Sequence, residues 1–293
     1  MDYQLKHELP RISIVTPSYN QGAYLERTIL SVLEQGYPEL EYIIIDGGST
    51  DNSADIIRCY ESSLTYWVSE PDSGQSSAIN KGFARASGRL LGWLNSDDYL
   101  LPGALTTIAN MFTDNPAAGA YVGAGEYVDT KGKVLFLKEP AEITLESLYD
   151  WLEIFHFMQP SCFFSREAWD RARGLDESVH IAMDVDLWLK IARYYSFERS
   201  TEIISRSLVH EEAKTAAYRY FSEIDTAFVI MRHGGERQAR RAIEKIAAKL
   251  ECYERWFSII TANPFFDRIL PLLKRLVGYE RQIRSQYPRW ADK

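Results

Sequence analysis

Cysteine is scarce in this chain. Cys59, Cys162 and Cys252 are far apart, with no paired spacing. That excludes a disulfide framework and a thiolate zinc site and favours a reducing compartment. Apolar stretches such as Tyr42–Ile45 and Phe228–Met231 fall far short of the ~20 residues that cross a bilayer. The opening residues, MDYQLKHELPRIS, hold no apolar core of an export signal, so a cytoplasmic location is expected. No internal repeat, low-complexity linker, Walker spacing or GxGxxG after the first strand is present, so P-loop and dinucleotide folds lack their fingerprints. Disorder is excluded by 46% hydrophobic and 13% aromatic residues, enough apolar surface to build a core.

The charge is unevenly spread. Met1 to Met231 holds 19 basic and 34 acidic residues, and Arg232 to Lys293 holds 14 basic and 7 acidic. An acidic body repels nucleic-acid phosphates, so nucleic acid is not an expected partner. It suits a protein that holds a divalent cation, and a basic tail suits an anionic surface.

Over the first ~100 residues short β-branched runs alternate with helical patterns, the mark of strand–helix–strand units and a parallel sheet. Ile12–Thr16 reads as a first strand stopped by Pro17, Tyr42–Ile45 as a second ending at Asp46, Leu64–Ser69 as a third and Leu90–Leu94 as a fourth. Helices are expected between them, the third over Ala78–Ala86. Beyond residue 100 the expected elements are a helix over Leu105–Phe112, a hairpin of Tyr121–Val128 with Val134–Leu137, helices over Phe163–Ala172 and Met183–Tyr194, and a strand over Ile203–Val209. After Thr215 everything reads helical. The expected division is therefore a catalytic domain over 1–215 and a helical region over 216–293.

Polar clusters stand where each of the first four strands ends: Ser18–Gln21, Asp46, Glu70–Gln75 and Asn95–Asp98. Open α/β sheets bind ligands at that edge. Adjacent carboxylates such as Asp97-Asp98 suit Mg²⁺ or Mn²⁺, hard cations that bridge diphosphates; an isolated pair would serve equally as a helix-capping turn before Pro102. Asp184 and Asp186 open an amphipathic helix. A carboxylate there can act as a general base or simply cap the helix. His210, after a strand, is the best placed of five histidines for a metal or phosphate, its other reading being structural. Lys81 and Lys214 suit a diphosphate or a solvated surface.

IVTPSYN (Ile14–Asn20), IIDGGSTD (Ile44–Asp51), AINKG (Ala78–Gly82), WLNSDD (Trp93–Asp98) and DVDLW (Asp184–Trp188) stand in the order seen in family 2 glycosyltransferases, which the chain resembles over about residues 11–215. The resemblance implies a GT-A fold, a Rossmann-like mixed sheet with nucleotide-binding and acceptor-binding halves, here with a C-terminal helical appendage. It implies a metal-dependent inverting transfer from a nucleoside-diphosphate sugar, in synthesis of a cell-surface polysaccharide or glycolipid. By that resemblance Asp98, with His210, holds Mn²⁺ or Mg²⁺, and Asp97 holds the ribose or the ion's outer shell. Asp184 is the base. Pro17, Ser18, Tyr19, Asn20, Asp46, Asp72, Gln75, Asn80, Lys81 and Asn95 complete the nucleotide-sugar site. The familiar Asp-Asp after strand two is Asp46-Gly47 here, and Asp72 stands in for the missing carboxylate. The Glu of the family's Glu-Asp pair is Met183. Trp151, Phe155, His156, Phe157 and Gln159 are candidates for the wall facing a glycan or lipid-linked acceptor.

Two other classes remain: a sugar nucleotidyltransferase, whose glycine- and lysine-rich loop is replaced by Pro17–Asn20, and a non-catalytic sugar-binding module, against which both Asp98 and Asp184 speak. In the tail, Ala239, Ile243, Ile246, Leu250, Tyr253, Phe257 and Ile260 form a heptad seam that either joins two chains as a homodimer or packs on its own chain. Pro264–Arg284 mixes apolar and basic residues, which suits peripheral contact at the inner face of the membrane, or a cover for the chain's own core.

Overall fold

The structure, a computed structural model, describes residues 9–210 and 219–261. It forms two compact units, Met1–Ala242 and Ile243–Lys293. Lys214 and the segment Pro264–Arg284 lie outside the described residues.

The first half alternates β1 (Ile12–Ser18), α1 (Gly22–Leu33), β2 (Leu40–Asp46), α2 (Ser53–Cys59), β3 (Tyr66–Ser69), α3 (Gln75–Arg85) and β4 (Leu90–Trp93). β1 pairs in parallel with β2 and β4, and β2 with β3. β5 (Tyr99–Leu100), α4 (Ala104–Asp114), β6 (Ala120–Val128), β7 (Val134–Lys138), α5 (Leu145–Leu148), β8 (Cys162–Ser165), α6 (Arg166–Ala172), α7 (Met183–Ala192) and β9 (Phe197–Leu208) follow. They extend the sheet to the order β3-β2-β1-β4-β8-β6-β9-β5, with β7 on the edge of β6. β8 is antiparallel to β4 and β6, so the sheet is mixed, as expected. Two helices close the described chain, α8 (Arg219–Arg232) and α9 (Glu236–Thr261). α8 lies in the first unit, beyond the expected division at 215.

Alternation along the buried strands sends Ile12, Ile14, Tyr42 and Ile44 into one core with Leu25, Ile29 and Val32 of α1 and Leu105 and Ile108 of α4. β1 and β2 are buried over nearly every residue, as a sheet covered on both faces requires. On the face opposite the α1–α4 core, α3 lies so close to β1 that a Cβ on Gly82 would stand 2.5 Å from Val15 Cγ1.

Two expectations are corrected. Pro17 does not stop β1, which runs on to Ser18. Residues alternate along a parallel strand, so Pro17 turns its nitrogen towards β4, whose pairing with β1 ends at Val15–Trp93; the missing N–H therefore breaks no ladder bond. Phe163–Ala172 is not one helix: Cys162–Ser165 is a buried strand, and Ser165 then caps α6 by accepting from the Ala168 N–H at 3.1 Å.

Helix propensity alone makes Gly→Ala stabilising by ~1 kcal/mol. Gly82→Ala should do the reverse and destabilise by about 1–3 kcal/mol, because the fully buried Val15 has no room to yield. Urea unfolding of the two proteins measures the sign.

Candidate nucleotide-sugar site

Parallel register sets the strand ends side by side: Ser18 lies opposite Asp46, and Asp46 opposite Ser69. Asn20, with φ of 53°, turns the chain out of β1. Its Oδ1 accepts from the Thr50 N–H at 2.8 Å, and its own N–H donates to Ser49 Oγ at 2.8 Å. The exits of β1 and β2 are thus laced together. Ser18 is buried, with its hydroxyl unpartnered among the described residues, and Tyr19 stands exposed.

Asp46 is fully buried. Its carboxylate accepts from the Ser49 N–H at 2.9 Å, Ser49 Oγ at 2.5 Å and Ser69 Oγ at 2.6 Å. This residue anchors its own turn. Asp72 comes to the spot that Asp46's neighbour would fill: a Cβ on Gly47 would lie 3.0 Å from Asp72 Oδ2. Of the α3 residues, Gln75 donates to Asn95 Oδ1 at 2.8 Å. Asn80 and Lys81 are occupied elsewhere. Asn80 pins the loop before α7 through Leu175 O at 3.0 Å and Glu177 at 3.1 Å, and Lys81 pairs with Glu70 at 2.6 Å.

β5 runs antiparallel to β9 with Tyr99 opposite Arg206, which carries the preceding aspartates to the end of β9. Asp98 is buried, accepting from Ser207 Oγ at 2.6 Å and Asn95 Nδ2 at 3.2 Å. Burial, then the Asp97 charge, pushes its carboxyl up to about 8. Asp97, by contrast, places Oδ2 3.0 Å from His210 Nε2. The histidine therefore lies against Asp97, not against Asp98 as expected. It is buried beside the Tyr24 ring, 4.6 Å between centroids, and its Nδ1 has no partner among the described residues. No group of three His, Cys, Asp or Glu side chains suited to a metal occurs among the described residues.

Asp184, half-buried, opens α7. Both it and Asp98 act on Tyr127, whose hydroxyl is pushed up by burial and then by these two charges. Asp184 likewise adds to the burial that raises the Cys162 thiol. Tyr127 thus feels both carboxylates and opens an aromatic lining, in which it meets Phe155 at 6.2 Å and Phe155 meets Trp151 at 5.8 Å. Of the other expected wall residues, His156 and Phe157 are buried, Phe157 against Trp188 at 5.6 Å, and Gln159 donates to Trp93 O at 3.0 Å. His156 and Phe157 belong to the core, whereas the half-buried Gln159 also accepts from Asn95 Nδ2 at 3.1 Å, at the exit of β4.

Asp186 faces away from this lining. It is fully buried and accepts from Arg232 Nη2 and from His233, the latter at 2.8 Å, while Lys190 lies 2.7 Å from it. The two acidic residues of α7 thus have different surroundings, which the spacing alone did not reveal; the basic residues that end α8 were the missed signal.

The sequence profile of glycosyl transferase family 2 matches residues 13–172. The chain belongs to this family. Among its relatives, the chondroitin synthase of Pasteurella multocida is 28% identical over 236 residues, 79% of this chain. The match spans about a quarter of that relative, 24% of its length. Among solved structures, the mannosyltransferase PcManGT from Pyrobaculum calidifontis, in complex with GDP-Man and Mn²⁺, gives a TM-score of 0.59 at 18% identity and covers 93% of this chain and 89% of that one. S. aureus TarS 1–349, in complex with UDP-GlcNAc, gives 0.58 at 17% identity and covers 75% and 66%. The family 2 chain therefore has the GT-A fold that the five motifs implied.

Burial alone would raise the Asp186 carboxyl, but the hydrogen bonds of His233 and Lys190 and the Lys190 charge outweigh it and hold it well below the carboxylate range. A depressed carboxyl stabilises the fold above its unfolded pKa of ~4 and loses that contribution as pH falls towards the folded value. Asp186→Asn should therefore cost about 3 kcal/mol near pH 7, and the gap to the unaltered protein should begin to narrow only below pH ~4. Urea unfolding from pH 7 to pH 3 reads the difference.

Proposed function

We propose that the chain transfers a sugar, with inversion, from a nucleoside-diphosphate sugar to an acceptor hydroxyl in polysaccharide or glycolipid synthesis. The observation that carries this reading is the Asp97–His210 pair at the sheet edge, next in sequence to Asp98, which with Asp184 at the head of α7 acts on the one Tyr127 ring.

Asp97 and His210 offer one carboxylate oxygen and one imidazole nitrogen 3.0 Å apart, donors that fit Mn²⁺ or Mg²⁺ when diphosphate and water complete the shell. We assign the ion to this pair instead of Asp98, whose two oxygens Ser207 and Asn95 already occupy. Bound there, the ion supplies Lewis-acid stabilisation of the charge that grows on the leaving diphosphate. Asp98 holds the Asn95 amide and the end of β9 in place. Asp72, beside Gly47, presents a carboxylate to N–H donors of the nucleobase, the part a second aspartate after β2 would play. Asp184 takes the proton from the acceptor hydroxyl, which attacks the anomeric carbon from the side opposite the diphosphate. Trp151, Phe155 and Tyr127 give sugars an apolar face to stack on.

The GDP-Man and UDP-GlcNAc complexes of the two structural neighbours support a nucleotide-sugar donor. The chondroitin synthase relative supports a polysaccharide product. Among the described residues no helix is long and apolar enough to cross a membrane, and the basic stretch proposed for peripheral membrane contact lies beyond them. α9 runs unbroken through the heptad seam, with Leu250 44% and Tyr253 62% exposed. Those two residues suit a seam between chains.

Turnover is measurable before the acceptor is known, as hydrolysis of UDP-GlcNAc or GDP-mannose, in which water takes the sugar and the nucleoside diphosphate leaves. Asp184→Asn should slow this release by ~10²–10⁴ while donor affinity stays within about twofold. Lost donor affinity with unchanged turnover of bound donor would place Asp184 in the donor site. For the tail, the full chain should sediment as a dimer and the Leu250→Glu, Tyr253→Glu double variant as a monomer; a monomeric unaltered chain removes the between-chain seam.

A further inference from the structure

α7 carries Asp184 and begins badly. Its N-cap is Ala182, which has no side-chain acceptor for the free N–H groups of the first turn. Within that turn Asp184 Oδ1 accepts the Val185 N–H at 2.8 Å, and the backbone just before the turn is held from another helix. Asp225, in α8, receives the N–H groups of both Ile181 and Ala182 on one oxygen, each at 3.0 Å. One turn into α7, Asp186 is held by Arg232 and His233 from the far end of α8. Arg232 also reaches Asp176 at 2.9 Å, in the loop that leads into α7. Between these two ends the buried Ala227 and Ile230 tie α8 into the core.

Asp184 stands between the two holds, two residues after Ala182 and two before Asp186. Its backbone is therefore clamped on either side by α8. A carboxylate that must meet an acceptor hydroxyl needs its position fixed to within a fraction of an ångström, and misplacement by 1 Å can cost ~10² in rate. We propose that Asp225, supported by Arg232, is a positioning residue for the base. α8 then belongs to the catalytic machinery and is not an appendage to it. The proposal rests on the reading of Asp184 as the general base.

The experiment is a double-mutant cycle on the full chain, read as nucleoside diphosphate release from the donor that binds, with donor affinity measured in parallel. Asp225→Ala should lower kcat by roughly 10- to 100-fold and leave the donor dissociation constant within about twofold. Asp225→Asn keeps an oxygen that accepts two N–H groups and should return kcat to within ~3-fold of the unaltered protein. In an Asp184→Asn background, Asp225→Ala should add almost no further loss, because the group it positions is gone. If Asp225→Ala does not fold, Arg232→Gln replaces it in the cycle under the same criteria. An unchanged kcat in the first variant, a loss that comes with equal loss of donor affinity, or full additivity with Asp184→Asn each overturns the proposal. Normal turnover by Asp184→Asn alone overturns the base assignment instead, so the two failures are told apart.

Discussion

Ser18, Asp46 and Ser69 stand side by side because β1, β2 and β3 run parallel in one register. Everything at the site depends on that alignment. A slip of one residue in β2 would turn Asp46 to the opposite face of the sheet and unlace the Ser49 and Ser69 hydroxyls from it. The register is fixed in turn by burial on both faces, where Ile12, Ile14, Tyr42 and Ile44 enter one core while Val15 meets the α3 backbone at Gly82. A second alignment, β5 against β9, then brings Asp97 to His210 and Asp98 to Ser207 across more than a hundred residues of sequence.

An edge so rich in carboxylates would repel a diphosphate if all of them faced it. The fold sorts them by partner. Asp46 is satisfied by two serines, Asp98 by a serine and an asparagine, and Asp186 by Arg232, His233 and Lys190. Asp97 is left with a histidine, and Asp72 with the Gly74 N–H at 2.8 Å. Charge remains where a cation, a nucleobase N–H or an acceptor proton suits the proposed chemistry.

Much of this was legible in the chain. Period-two and period-3.6 patterns placed the first four strands and most helices, and the polar residues at the strand ends marked the candidate site. What was not legible depends on partners far away in sequence. Pro17 reads as a strand stop until β4 is seen to end beside it. Phe163 reads as helical because a short buried strand and a helix segment share the same apolar composition. Asp97 and Asp98 are indistinguishable in sequence, and only the β5–β9 pairing shows which one meets His210. The same holds for Asp184 and Asp186, since only α8 and the residue after it show that Asp186 is the one held by Arg232 and His233. Asp225 and Arg232 carry no local signal, since a helix that holds another from a distance leaves no motif in either.

The central claim is that the sheet edge binds a nucleoside diphosphate through an ion shared by Asp97 and His210. Thermal unfolding of the full chain with UDP, GDP and ADP, in Mn²⁺ and in EDTA, tests it directly. A ligand at a hundredfold excess over its dissociation constant stabilises by about 2.7 kcal/mol, so a clear rise in midpoint is expected for the matching nucleotide. The account predicts that rise in Mn²⁺, its absence in EDTA, and its loss in both Asp97→Asn and His210→Ala. A rise of equal size in EDTA, or one that survives both substitutions, would contradict it.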